Sequence, residues 1–267
     1  MPAQREGADV VAGDHREFKV TSRGLRLAVF LDLPPHRSAP RTPVVVVMHG
    51  ISGSSQDPVV VHVAESLNRA GIGALRFDFN GHGRSEGNSA DMTVPNEIED
   101  ARAVLAFAGL DVVSVVGLAG HSQGGVVTGM VAGESGADVP ALALLAPAGV
   151  LRENTVAGDV LGVRIDPADP PESVTPFDGF TIGREYMVTA QTLPVYETSA
   201  RYRGPVCIVQ GEDDDVVPPA TAERYRDGYA QVELHLLPGQ GHGFEHDPDE
   251  AARVVADFFV RTLPAAP

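Results

Sequence analysis

Apolar positions in this chain fall into two alternating patterns. Short unbroken runs occur at PVVVVMHG (43–50), GALRFDF (73–79), VVSVVGLAG (112–120), PALALLAP (140–147), GPVCIVQG (204–211) and QVELHLLPG (231–239). Such runs, bounded by glycine or proline, predict strands, and continuous apolarity predicts burial on both faces. Between them, segments near 58–70, 94–109, 124–134, 219–229 and 248–263 read as helices, with Gly71 and Gly109 as stops. Ahead of these, REFKVTS (16–22) and LRLAVFLDL (25–33) read as an antiparallel opening pair. Strands alternating with helices predict an α/β fold: a mostly parallel central sheet flanked by helices.

The pattern fails between 148 and 203, a stretch with several prolines, including DPADPP at 166–171. One short helix is expected there, in IGREYMVTAQ (182–191). An irregular interval of this length is too long for a simple loop and predicts a small inserted lid or cap. The expected organisation is a core of residues 1–147 and 204–267, with the lid at 148–203.

Composition narrows the class. A length of 267 residues with 43% hydrophobic content suits one large α/β domain with an elaboration. No run is long enough for a transmembrane helix. The opening MPAQREGADVVAGDHREF lacks the apolar centre of a secretory signal, so the expectation is a cytoplasmic protein. A formal net charge of −16 disfavours nucleic acid and anionic membrane surfaces as partners. Cys207 is the single cysteine, which excludes an intramolecular disulfide. Its place in the apolar run PVCIV predicts a buried strand residue, and no metal site is expected.

Chemistry enters at GHSQG (120–124), between a predicted strand and a predicted helix. This is G-x-S-x-G in the strand–turn–helix setting that exposes a serine above a sheet. So sharp a turn needs small residues two positions either side of Ser122, and Gly120 and Gly124 stand there. A dinucleotide-binding turn is the competing reading, but no G-x-G-x-x-G follows an early strand.

A serine hydroxyl is a weak nucleophile until a base takes its proton, and the base needs an orienting carboxylate. In this setting the chain order is serine, acid, histidine. The base falls on His242 in QGHGFEHDP (240–248); His246 lies beside a helix cap and His235 inside a strand. The acid falls within EDDD (212–215), where Asp214 is favoured by its spacing from Gly211 and Pro218, with Asp213 and Asp215 as alternatives. The loop of MHGISG (48–53) can aim the Ile51 amide at a developing oxyanion, and Gln123, at a helix N-terminus, supplies the second amide. His49 reads as structural. His82 and Arg84, in NGHGRSEG (80–87), read as loop packing, since the lysine of a phosphate-binding loop is absent.

With MHG, DFNGHGRSEG, GHSQGG, QGEDDDVVP and GQGHGF in hand, nearly the whole chain resembles an α/β-hydrolase. The resemblance implies a triad of Ser122, Asp214 and His242. LAPAGVLRENTVAG (145–158) and TAQTLPVYETSARYRGPVCIVQG (189–211), with DFNGHGRSEG, resemble bacterial cinnamoyl (feruloyl) esterases. That likeness implies hydrolysis of small-molecule hydroxycinnamic esters without a cofactor, and a lid whose residues contact the phenolic ring. By position, Asn154 and Tyr186 match places that carry polar ring contacts. Relatives suggest a homodimer. Two rivals stand beside this expectation. One keeps the triad but takes short-chain acyl esters, monoacylglycerols or peptides; the other is a silent scaffold that binds a small ligand.

Overall fold

The computed structural model describes residues 14–35, 42–109, 114–136 and 139–262. Outside them lie the N-terminal stretch 1–13 read for a secretory signal, residues 112–113 of a predicted strand and residue 263 of the last predicted helix.

β1 (Asp14–Ser22) and β2 (Leu25–Leu33) pair antiparallel around a turn at Arg23 and Gly24. Then β3 (Pro43–Met48), α1 (Pro58–Arg69), β4 (Gly73–Phe77), α2 (Val94–Ala108), β5 (Ser114–His121), α3 (Gln123–Ser135) and β6 (Leu142–Leu145) alternate. The 148–203 interval has structure of its own. It holds α4 (Leu151–Val156), a small hairpin of β7 (Asp159–Val160) and β8 (Val163–Arg164), a second of β9 (Ser173–Phe177) and β10 (Phe180–Gly183), then α5 (Arg184–Ala190) and α6 (Val195–Ser199). The alternation resumes with β11 (Val206–Gly211), α7 (Pro219–Gly228), β12 (Val232–Leu237) and α8 (Pro248–Thr262).

The eight-stranded sheet runs β1-β2-β4-β3-β5-β6-β11-β12. From β4 to β12 every neighbouring pair is parallel; β2 joins β4 antiparallel. The valine run of β3 shows why such strands are apolar throughout. Val44, Val46 and Met48 pack into one layer while Val45 and Val47 pack into the other. Each buried side chain of this kind contributes about 1.5–3 kcal/mol relative to exposure.

On the Val45 side lie α1 and α8, through Val59, Val63, Leu67, Val255 and Phe259. On the Val44 side lie α2 and α3, and the same apolar layer takes in Val174, Phe180, Ile182 and Met187 of the 148–203 segment. That segment is therefore seated on the core by its own apolar residues. Because β3, β5, β11 and β12 run parallel, the loops that follow them leave the sheet along one edge, where such folds place their sites.

Candidate active site

The loop after β5 is the sharp turn foreseen at GHSQG. Ser122 has φ 55° and ψ −120°, a backbone state that costs a non-glycine residue about 1–3 kcal/mol. Its surroundings hold it there. The Ser122 N–H donates to Leu145 O at 2.9 Å, and its carbonyl accepts from the Gly125 and Ala148 amides at 3.0 Å each. A Cβ on Gly120 would collide with the Gly124 carbonyl, and one on Gly124 with the His49 carbonyl. The small residues clear the path of the backbone around the serine.

The loops after β11 and β12 bring two further groups to this turn. His242 Nε2 lies 2.9 Å from Ser122 Oγ, and its Nδ1 lies 2.9 Å from Asp214 Oδ2. Asp214 is buried, whereas Asp213 and Asp215 are exposed. The Asp214 carboxylate also accepts from the Val216 and Val217 amides at 2.9 and 2.7 Å, and from Gln210 Nε2 at 2.8 Å. Burial pushes the Asp214 carboxyl up, but the bonds from His242, the Val217 amide and Gln210 outweigh it and hold it below its ordinary value. An ionised Asp214 draws the imidazole proton to Nδ1 and leaves the Nε2 lone pair facing the serine hydroxyl.

The loop after β3 completes the edge. His49 is fully buried, donates from Nδ1 to Gly50 O at 2.7 Å and accepts at Nε2 from the Phe79 amide at 3.0 Å. Burial, with His82 nearby, pushes it down to about 3, so it stays neutral and structural. The loop passes close enough that a Cβ on Gly50 would stand 3.0 Å from Ser122 Cβ. The N–H groups of Ile51 and Gln123 donate to nothing among the described residues. The turn after Ile51 is tight, with Ser52 at φ 59° and the Gly53 amide on Gly50 O at 3.1 Å. Two amides are thus left open beside the serine, one of them at the start of α3.

The two residues expected to touch a phenolic ring lie differently. Asn154 is exposed on α4. Tyr186, on α5, is buried, and its hydroxyl is already committed: it donates to Gln123 Oε1 at 2.7 Å. Gln123 Nε2 in turn donates to Glu97 Oε2 at 2.8 Å.

Three participants were not foreseen. Gln210 braces Asp214 from the buried interior of β11. His121 donates from Nε2 to the backbone carbonyl of His242 at 2.8 Å. Glu97 sits on the apolar stripe of α2, and a charged residue in that register is the signal that finds it. Away from this edge, ligand atoms of Cys207, Glu233 and His235 lie within 4.8 Å of one another on β11 and β12. Glu233 there is engaged by Arg261 at 2.7 Å and by His235 at 3.1 Å.

Known proteins share this architecture. Residues 39–164 match the family described as serine aminopeptidase, S33. Est1E of Butyrivibrio proteoclasticus, solved with ferulic acid bound, is 31% identical with a TM-score of 0.88, over 92% of this chain and 98% of that one. A second Est1E structure gives 28% identity and a TM-score of 0.84, over 94% and 99%. A monoacylglycerol lipase of Mycolicibacterium smegmatis is 25% identical, over 78% of this chain and 83% of that protein. With its parallel sheet, its serine elbow and this likeness along nearly its whole length, the chain belongs to the serine esterases of the α/β-hydrolase family.

Proposed function

We propose that this protein is a serine carboxylesterase that hydrolyses hydroxycinnamic acid esters through an acyl-enzyme. The observation that carries the chemistry is the row Asp214–His242–Ser122, with 2.9 Å at each link, beside two open amides. Ser122 Oγ attacks the ester carbonyl carbon while His242 Nε2 takes its proton. The carbonyl oxygen becomes an anion and is received by the Ile51 and Gln123 amides. The carbon–oxygen bond to the alcohol then breaks, and the alcohol leaves with the proton returned from His242. Water, deprotonated by the same nitrogen, attacks the acyl-enzyme; the acid departs and Ser122 recovers its proton. Asp214 holds the tautomer and stabilises the imidazolium throughout.

The acyl group is proposed from the likeness to Est1E, whose structure holds ferulic acid. In this reading the 148–203 segment is the lid over the acyl group. Its partners are small-molecule esters rather than nucleic acid or anionic membranes, in keeping with the net charge of −16. No helix among the described residues is long and apolar enough to cross a membrane.

A second reading keeps the triad and takes monoacylglycerols or short-chain esters; the likeness to the mycobacterial monoacylglycerol lipase supports it. Turnover of methyl ferulate, a monoacylglycerol series and 4-nitrophenyl butyrate by the purified protein separates the two. Methyl ferulate is expected to give the highest kcat/KM, and Ser122→Ala to abolish turnover of all three. Ready cleavage of aliphatic esters without cinnamoyl turnover would favour the second reading, and unchanged turnover by Ser122→Ala would remove both.

A further inference from the structure

Glu97 is 1% exposed, in line with Val94, Ile98, Ala101 and Val104 on the core side of α2. Its Oε2 accepts from Gln123 Nε2 at 2.8 Å, and its Oε1 has no partner among the described residues. No ion pair to Glu97 is found among the described residues; Asp100, one turn further along the helix, is paired with Arg23 at 3.4 Å. A carboxylate buried with one bare oxygen and no cation is costly, so the group is held as the neutral acid. Burial raises its pKa well above the ordinary value, and Asp100 adds to the rise.

A neutral carboxyl offers a carbonyl to the Gln123 amide. That fixes the Gln123 side chain at both ends: Nε2 on Glu97, Oε1 on the Tyr186 hydroxyl at 2.7 Å. The three residues come from α2, the first position of α3, and α5 of the inserted segment. Gln123 is also the residue whose backbone N–H stands open next to Ser122. That N–H shares a planar peptide with the Ser122 carbonyl, which the Gly125 and Ala148 amides hold at 3.0 Å each; the grip on the Gln123 side chain anchors the other end of the same peptide, at Cα.

We propose that Glu97 and Tyr186 are positioning residues that clamp Gln123 from opposite sides and keep its backbone N–H aimed at the developing oxyanion. The inserted segment thereby contributes to transition-state stabilisation through a tyrosine that need not touch the substrate. The inference rests on the serine-esterase reading above. An amide aimed at an oxyanion acts most strongly when the charge forms, so a misdirected one lowers kcat and leaves KM nearly unchanged.

The test compares Tyr186→Phe, Glu97→Met and Glu97→Gln with wild type on one ester, with active sites counted by a fluorophosphonate. A trifluoromethyl ketone serves as the mimic of the tetrahedral species. Tyr186→Phe and Glu97→Met are expected to lower kcat about 10–100-fold per active site, with KM within about twofold. The inhibition constant of the ketone should rise by the same factor. Glu97→Gln keeps a carbonyl for the Gln123 amide and should regain most of the kcat lost in Glu97→Met. Wild-type kcat per titrated site in both Tyr186→Phe and Glu97→Met overturns the clamp, as does a loss confined to KM. A wild-type protein that hydrolyses no ester and takes up no fluorophosphonate overturns the esterase reading, and the clamp with it.

Discussion

His121 and His242 are joined by a hydrogen bond that spans the site: the Nε2–H of one donates to the backbone carbonyl of the other at 2.8 Å. Their rings lie 4.9 Å apart. The residue before the serine therefore holds the loop that carries His242. Burial, reinforced by His242, pushes His121 down to about 4, so the ring stays neutral and the bond persists across the neutral range. Replacing His121 with Leu leaves that carbonyl without its donor. Expected outcomes are a loss of about 1–3 kcal/mol in urea unfolding and roughly a tenfold lower kcat/KM. Unchanged kinetics would show that the loop after β12 keeps its position unaided.

Asp214 stands between two exposed aspartates, and its neighbours make it distinct. The Val216 and Val217 amides and Gln210 give the carboxylate three bonds besides the one to His242. Asp214→Asn would invert the hydrogen-bond demand on Nδ1 and stabilise the wrong imidazole tautomer. Its kcat is expected to fall about 10⁴-fold. Asp213→Asn and Asp215→Asn, at exposed positions, are expected to stay within about twofold of wild type. The three variants assayed on one ester, with active sites titrated, decide the matter; a deep loss in either flanking variant would move the acid.

What could be read from the chain follows from how local each signal is. The valine run of β3 announces a strand because its alternate residues fill two layers, and the register of neighbouring residues carries that information. The glycines of GHSQG announce a turn for the same reason. Asp213, Asp214 and Asp215 differ by one step of backbone, and which of them turns inward depends on amides and a glutamine supplied by the folded loop. The two-residue strands β7 and β8 are too short for any periodicity to show, and β9, SVTPF, is mostly exposed and interrupted by a proline, so it carries no apolar run. Tyr186 and Glu97 are far apart in the chain and meet on Gln123 only after α2, α3 and α5 have packed. A buried contact of that kind leaves no trace in spacing beyond a glutamate in an apolar stripe.

The turn at Ser122 has no room for a methyl group. Gly120→Ala would drive a Cβ into the Gly124 carbonyl, and Gly124→Ala into the His49 carbonyl. Both obstacles are backbone and cannot swing aside. Each substitution is expected to cost at least about 2 kcal/mol in chemical denaturation and to displace the serine. Gly136→Ala is a useful contrast: nothing stands within 4 Å of its added carbon, but φ is 62°. Its cost should come from backbone strain alone, about 1 kcal/mol, with esterase turnover preserved.

Glu97 makes stability depend on pH in a direction opposite to that of a paired carboxylate. In the unfolded chain it ionises near its ordinary value of 4.5; in the folded chain burial holds the proton on to a much higher pH. Between those two values the native state binds a proton that the unfolded state has released, so this residue's contribution to stability declines as pH rises. Asp100 on the same helix opposes ionisation further, and Tyr186, the titratable group facing it from α5, is itself pushed up by burial and then by Glu97, and stays neutral. Glu97→Gln removes the proton exchange while keeping the carbonyl. Its stability relative to wild type should be near constant below pH about 4.5 and should grow as pH rises above that value. Urea unfolding on both sides of that value reads the difference directly. A gap between the two proteins that stays flat with pH would mean that Glu97 releases its proton in the folded protein as easily as in the unfolded chain, and that Gln123 is held against a carboxylate instead of an acid.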